Sequence, residues 1–146
     1  MSWPPSGHRT AVIDTNVVVA ALLTANFESP TVKVLDGMLA AKFPFAVSLP
    51  LLTEYRQVLL RPAISRRHGL TMDEADTLLI EITQNARVIE QPERGPQAPE
   101  PGDQHLWDLL SAIPRPILVT GDRLLLESSP DFAELFDARG FVARGD

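Results

Sequence analysis

Short apolar runs alternate with helical patterns along almost the whole chain, and this alternation limits the possible folds more than any other feature. A run rich in β-branched residues at 11–13 precedes a helical pattern over residues 17–23. The same order recurs at residues 45–48 and 117–120, where a helix again follows each predicted strand. Strands that alternate with helices indicate an α/β domain built in layers around a mainly parallel sheet.

Capping residues and prolines define several of the remaining elements. Ser29 precedes Pro30 at the start of a helical pattern, and Thr71 with Glu74 has the form of a capping box. The predicted helices are 30–41, 50–61, 72–83, 103–112, 123–127 and 132–138, with a further strand at 86–89. The apolar pair Phe141 and Val142 ends the pattern.

We expect a single domain covering residues 1–146. A chain of 146 residues is long enough to bury one sizeable hydrophobic core but too short for two ordinary domains. Residues 1–9 are predicted to be a flexible N-terminus. Residues 91–102 contain four prolines and two glycines and are predicted to form a loop that serves as a connector or a lid.

Composition excludes several classes of site. The chain has no cysteine, so disulfides, thiolate nucleophiles and cysteine-based zinc sites are ruled out, and its three histidines are scattered. Any metal ion must therefore rely mainly on oxygen ligands. No apolar run approaches the roughly 18–20 residues of a membrane span, and the first residues do not resemble a secretory signal. We expect a cytoplasmic protein without membrane contact.

The formal net charge of −6, taken alone, argues against binding of nucleic acid. A local basic stretch nevertheless contains Arg56, Arg61, Arg66, Arg67 and His68, with no acidic residue between the first and the last. This stretch is either an RNA-binding patch or a solvated helix end whose cations complement the helix dipole. The sequence leaves both interpretations open.

Two aspartates stand at the ends of predicted buried strands. Asp14 follows Ile13 directly, and Asp122 comes after the strand at 117–120 and the turn at Gly121. The carboxyl ends of parallel strands are where α/β domains place their sites, so both carboxylates are candidates for a common site. The alternative is that Asp14 or Asn16 only caps the following helix.

Two further acids lie on or beside the apolar faces of predicted helices. Asp103 falls on the apolar face of its helix, whereas Asp108 falls on the opposite face and is expected to be solvated. Glu54 lies at the margin of an apolar stripe. Asp103 could instead stabilise the helix dipole, and Glu54 could reach to water. Four converging carboxylates would need a divalent cation, and all-oxygen sites suit Mg²⁺ or Mn²⁺.

Four short motifs together resemble the PIN-domain family, and in particular the VapC-type toxins of bacterial toxin–antitoxin pairs. They are Val-Ile-Asp-Thr-Asn at 12–16, Leu-Leu-Thr-Glu-Tyr at 51–55, Gly-Asp-Gln-His-Leu at 102–106 and Val-Thr-Gly-Asp at 119–122. Each motif is weak alone, but their order and spacing are specific together. The likeness covers nearly the whole chain and departs from the common pattern at Pro101 and Gly102, where relatives often have an acid.

The resemblance implies a three-layer α/β/α domain with a central, mainly parallel sheet and metal-dependent cleavage of RNA. It assigns the catalytic acidic quartet to Asp14, Glu54, Asp103 and Asp122, and it gives Asn16 and Thr120 supporting roles. The quartet would hold one or two Mg²⁺ or Mn²⁺ ions, with Glu54 ligating a second ion or orienting the attacking water. The resemblance also implies a homodimer and a cognate antitoxin protein. RNA would approach through Arg56, Arg61, Arg66 and Arg67.

Three other functions compete with a metal-dependent ribonuclease. A phosphatase of the haloacid dehalogenase type needs a second aspartate two residues after Asp14, where the chain has Asn16. A receiver-type phosphate-accepting domain needs a lysine after its last strands, and no lysine follows Lys42. The third is a non-catalytic PIN-fold module that only binds a protein or RNA partner.

Overall fold

A computed structural model describes residues 9–128 and 130–144. Its strands are β1 (Ala11–Ile13), β2 (Ala46–Val47), β3 (Arg87–Val88), β4 (Ile117–Val119) and β5 (Glu134–Phe136). Its helices are α1 (Thr15–Leu23), α2 (Pro30–Leu39), α3 (Leu49–Leu59), α4 (Pro62–His68), α5 (Met72–Asn85), α6 (Gln104–Ser111), α7 (Arg123–Leu126) and α8 (Ala138–Arg144). A 3-10 turn, Pro101–Asp103, leads into α6.

All strand pairs are parallel, as the alternating pattern predicts. β1, β4 and β5 form one sheet in which Ile13 is opposite Val119, while β2 and β3 form a second pair. An isolated parallel bridge between Ala11 and Phe45 joins the two, so the strand order across the molecule is β3-β2-β1-β4-β5. Helices and sheet form the expected three-layer α/β/α fold. The carboxyl ends of β1 and β4 therefore lie side by side.

The core forms where the sequence is continuously apolar. Every residue of β1 and β4 is buried, which explains why these strands show no alternation of polar and apolar residues.

The helices begin directly after their capping residues. Ser29 accepts a hydrogen bond from the amide of Val32, and Thr71 with Glu74 forms the complete capping box. Local chemistry thus fixes where the helices begin around this core.

The C-terminal part differs from the sequence prediction. The helix predicted at residues 132–138 is wrong, because Glu134–Phe136 forms β5 and pairs with β4. Phe132, Leu135 and Phe136 have the i, i+3, i+4 spacing of a helix face, but pairing with the exposed edge of β4 satisfies the backbone instead. The following apolar pair lies in α8, where the Phe141 ring packs edge-on against Phe43.

Helix α4 is absent from the sequence prediction, in which Pro62 only ends the preceding helix. The proline is instead the first residue of a new helix, where its missing amide hydrogen costs nothing. Helix α4 ends at His68 and is capped by Gly69, whose φ of +73° favours glycine. The basic stretch consequently spans two helices, with a sharp turn between them.

Residues 91–100, in the segment predicted to be a loop, have no helix or strand, and this segment is attached to α6. Asp108 accepts hydrogen bonds from the amide of Gly95 and from the side chain of Gln104, both at 2.8 Å. Gln104 also accepts from the amide of Ala98 at 2.9 Å. The expectation that Asp108 is merely solvated is therefore wrong: it is half-buried and holds the loop against the helix.

The predicted flexible N-terminus lies outside the described residues except for Arg9. That residue is anchored, because it donates to the carbonyl of Arg115 at 2.9 Å and forms an ion pair with Glu134. No helix in the described part of the chain is long and apolar enough to cross a membrane.

Candidate metal centre

A pocket of about 500 Å³ opens where β1 and β4 end. The polar residues around it come from five separate parts of the chain. They are Asp14, Thr15, Asn16, Glu54, Arg61, Asp103 and Asp122. The structure thus brings all four sequence-predicted acids to one cavity, although the nearest pair in sequence, Asp103 and Asp122, is separated by a helix and a strand. Their catalytic role remains a prediction.

Asp14 is almost completely buried at the end of β1. One carboxylate oxygen, Oδ1, accepts from the amide of Thr15 at 2.8 Å, so this residue does cap α1. The other, Oδ2, accepts from the Thr120 hydroxyl at 2.8 Å and from the Asn16 amide nitrogen at 3.3 Å. The capping explanation is therefore correct but incomplete, because the carboxylate also faces the pocket.

Asn16 and Thr120 tie the ends of the two central strands together. Besides contacting Asp14, Asn16 accepts from the amide of Gly121 at 2.8 Å. The Thr120 hydroxyl accepts from the amide of Asp122 at 3.0 Å. A Cβ atom at Gly121 would lie 3.3 Å from the Asn16 side-chain oxygen, so the close approach favours glycine. This network holds the Asp14 and Asp122 backbones in fixed relation.

Burial raises the pKa of Asp14 to about 6. The hydrogen bond from Thr120 offsets part of this rise, whereas the charges of Glu54 and Asp103 add to it. Burial likewise raises the pKa of Asp103, and the charges of Asp122 and Glu54 raise it further. The carboxylates thus repel one another across the pocket, as a cation-binding site requires.

Asp103 and Asp122 both precede a helix, but only Asp122 acts as a cap. The Asp122 carboxylate accepts from the amide of Leu124 at 2.9 Å and from that of Leu125 at 3.4 Å. Asp103 makes no side-chain capping hydrogen bond, although it occupies the N-cap position of α6. Capping therefore explains Asp122 in part and leaves the side chain of Asp103 free to face the pocket.

Glu54 reaches the pocket from α3. Its Oε1 accepts a short hydrogen bond from the Thr15 hydroxyl, and its Oε2 lies 3.3 Å from Nε2 of His105. The hydrogen bond with His105 lowers the pKa of Glu54 despite partial burial. The neighbouring Tyr55, fully buried, donates its hydroxyl to the carbonyl of Ile13, which fixes α3 next to the end of β1.

His105 is a site residue that the sequence prediction lacks. The helical projection places it on the polar face of α6 beside Asp108, but the structure half-buries it against Glu54. Burial alone would lower the pKa of His105, but the hydrogen bond and charge of Glu54 raise it overall. No periodicity could have revealed this contact, because the two residues are 51 positions apart.

The basic stretch is not uniform. Arg61 lines the acidic pocket, and Arg66 and Arg67 lie exposed in the last turn of α4. Arg56 is instead engaged by Asp76 of α5, with an N···O distance of 2.8 Å. Three of the four arginines predicted to bind RNA therefore have no ion pair within the described residues. The positions of Arg66 and Arg67 also fit the interpretation as partners of a helix dipole.

The donor set suits a hard divalent cation in its chemistry, since it consists of four carboxylates whose mutual repulsion a cation would relieve. Within residues 9–128 and 130–144, however, no group of three or more histidine, aspartate or glutamate side chains is placed so that it could hold a metal ion. The chemical type and the charge of these residues therefore suit a metal ion, but their side chains are spread around the pocket.

The acids stand at the carboxyl ends of parallel strands, where α/β domains place their sites. A PIN domain family model matches residues 10–124, and the chain therefore belongs to the PIN domain family. PIN domains are generally nucleases and typically use divalent metal ions. Neither the search of curated proteins nor the search of solved structures found a match.

Proposed function

We propose that this chain is a metal-dependent endoribonuclease that cleaves RNA phosphodiester bonds in the cytoplasm, as the toxin of a toxin–antitoxin pair. The observation that carries the proposal is the convergence of Asp14, Glu54, Asp103 and Asp122 on one pocket. Membership of the PIN family supports the nuclease part. The toxin part is supported by the likeness of the four motifs to VapC-type proteins.

Asp14, Asp103 and Asp122 are the residues that would hold Mg²⁺ or Mn²⁺, and Glu54 would contribute to a second ion or orient water. When bound, the ion would lower the pKa of a water molecule and offset charge at the phosphate. The protein's own contribution is positional: hydrogen bonds from Thr120 and Asn16 hold the Asp14 carboxylate in one orientation. Rigid support of this kind is what a precise metal site needs.

RNA would enter beside α4. Arg61 lines the pocket, and Arg66 and Arg67 extend a positive surface away from it. Phosphates contacting these three side chains would be attracted despite the net charge of −6. Arg56 would contribute less, because Asp76 already neutralises it.

The proposal includes two protein partners, an antitoxin and a second copy of this chain. A cognate antitoxin would block the acidic pocket by placing an arginine among the carboxylates, and the chain would form a homodimer. Both rest on the resemblance of the motifs. Size-exclusion chromatography with light scattering would test the dimer, and a monomer at micromolar concentration would contradict it.

Cleavage of single-stranded RNA with added Mg²⁺ or Mn²⁺ tests the proposed activity. We expect product with either ion, none with a chelator, and none with Asp14→Asn, because the substitution removes the central negative charge of the pocket. Circular dichroism of the variant should match that of the wild type, which would exclude unfolding as the cause. Full activity in Asp14→Asn would refute the mechanism.

A non-catalytic module that binds a protein or RNA partner is the second candidate, and the spread of the carboxylates around the pocket favours it. Thermal unfolding with increasing Mn²⁺ separates the two functions. A ribonuclease of the proposed kind should gain stability with Mn²⁺, by about 2.7 kcal/mol at an ion concentration 100 times the dissociation constant. A binding module without a metal site should not respond.

A further inference from the structure

Glu54 is held on both sides by helices other than its own. The Thr15 hydroxyl of α1 donates to one carboxylate oxygen, and His105 of α6 contacts the other at 3.3 Å. An ionised carboxylate only accepts hydrogen bonds, so Nε2 of His105 carries the proton in this contact. The glutamate side chain is thereby fixed at two points.

His105 lies behind the pocket. Glu54 lines the cavity, whereas His105 does not, and only 18% of the histidine side chain is exposed. Its second nitrogen, Nδ1, is buried without a hydrogen-bond partner among the described residues. An unsatisfied buried polar atom destabilises a fold, whereas an aliphatic side chain would fill the same space without that cost. Stability alone therefore does not explain a histidine here.

The position of His105 links two of the acids. It follows Asp103 by two residues at the start of α6, and its contact with Glu54 connects that helix start to α3. Within the described residues, no other side-chain hydrogen bond or ion pair joins α6 to α3. The Thr15 hydroxyl fixes one oxygen of Glu54, and the imidazole of His105 fixes the other and sets the place of Glu54 relative to the start of α6.

We propose that His105 is a positioning residue, which orients the Glu54 carboxylate toward the pocket and fixes its place relative to Asp103. This inference rests on the proposed ribonuclease function. The histidine acts through Glu54 and touches no substrate. A site whose acids are set by such contacts loses activity when the contact is lost, even if the acids themselves remain.

Two substitutions of similar polarity distinguish this role from simple packing. In His105→Gln the side-chain amide reaches about as far as Nε2, whereas in His105→Asn it reaches only as far as Nδ1 and falls short of Glu54. We expect His105→Asn to lower kcat for RNA cleavage about 10- to 100-fold, with KM changed less than about twofold. His105→Gln should restore kcat to within about threefold of the wild type.

Asp108→Ala provides a matched control. Asp108 lies on the same helix, and the substitution removes two hydrogen bonds at 2.8 Å: one comes from Gly95 in the loop at residues 91–102, and the other from Gln104, whose side chain also binds that loop. We expect a lower melting temperature with kcat unchanged. Equal losses of kcat in His105→Gln and His105→Asn, or a change confined to KM, would overturn the positioning role.

A measurement without RNA separates this inference from the proposed function. Urea unfolding of His105→Asn, Glu54→Gln and the double variant should give midpoint shifts that are not additive, because the two side chains are in contact. Additive shifts would overturn the contact whatever the activity. If the shifts of the variants are coupled but the wild-type protein cleaves no RNA, the proposed function is refuted, and the positioning role with it.

Discussion

Asp14 and Glu54 face the same pocket, but they are held in place by different means. Asp14 is positioned by the backbone of β1 and by Thr15 and Asn16, which follow it directly in the chain, and it has one distant partner, Thr120. Glu54 is positioned by side chains from two other helices, 39 and 51 residues away. One part of the pocket is therefore built largely from local structure, and the other entirely from long-range contacts.

The same contrast separates Asp122 from Asp103. Asp122 stabilises its own helix by capping, so it has a structural role besides any functional one. Asp103 makes no such bond and carries a raised pKa, so the fold gains little from its charge. Acids whose side chains have no structural role are therefore the better candidates for function, and three tests follow from this difference.

Asp103→Asn should lower the activity most strongly without lowering the stability of the fold. We expect a loss of metal-dependent cleavage of about 100- to 1000-fold, as for removal of a charge-stabilising group. The free energy of unfolding should not fall, because no side-chain hydrogen bond recorded among the described residues is lost and the burial and repulsion that raise the pKa of Asp103 are relieved. Cleavage assays and urea unfolding measure the two effects. A large loss of stability would give Asp103 a structural role and remove its distinction from Asp122.

The metal-free protein should become less stable as the pH rises through the titration range of Asp14. Its pKa is raised from 3.8 to about 6 in the folded chain. The folded state therefore binds the proton more tightly than the unfolded state, and this contribution is present at low pH and lost as the pH passes 6. For a shift of this size the loss is about 3 kcal/mol.

Asp14→Asn supplies the comparison for this pH dependence, since the amide does not titrate. The stability of the variant relative to the wild type should increase by about 2–3 kcal/mol between pH 4 and pH 7, measured by urea unfolding in a chelator. Titrating groups that do not interact with Asp14 cancel in the difference. A difference that stays constant with pH would show that burial of Asp14 imposes no electrostatic cost.

Asp122 should affect stability through its cap, by less than the pH-dependent change expected for Asp14. Asp122→Ala removes the cap of α7 and should cost about 0.5–2 kcal/mol in thermal or urea unfolding. Asp122→Ser keeps a capping oxygen and should restore most of that stability, while the loss of cleavage persists in both variants. If the serine variant recovered cleavage, the role of Asp122 would be capping alone.

Elements with capping residues or continuous apolar runs were predicted correctly, whereas a segment with only a short helical spacing was not. The capping box at Thr71 and the apolar run of β4 appear in the structure where the sequence places them. The segment at residues 132–138 has a helical spacing but forms β5, because the edge of β4 offers hydrogen-bond partners that no local pattern encodes. Tertiary pairing overrode local preference there.

The sequence by itself determined the parallel α/β class and the positions of Asp14 and Asp122 at strand ends. Strand ends are local features, and the side chains that follow them inherit their place from the sheet. The tertiary structure decided that Glu54 faces Thr15 and His105, and that Asp103 is free of capping. Those relations join residues far apart in the chain, and helical periodicity specifies a face but not the partner that meets it.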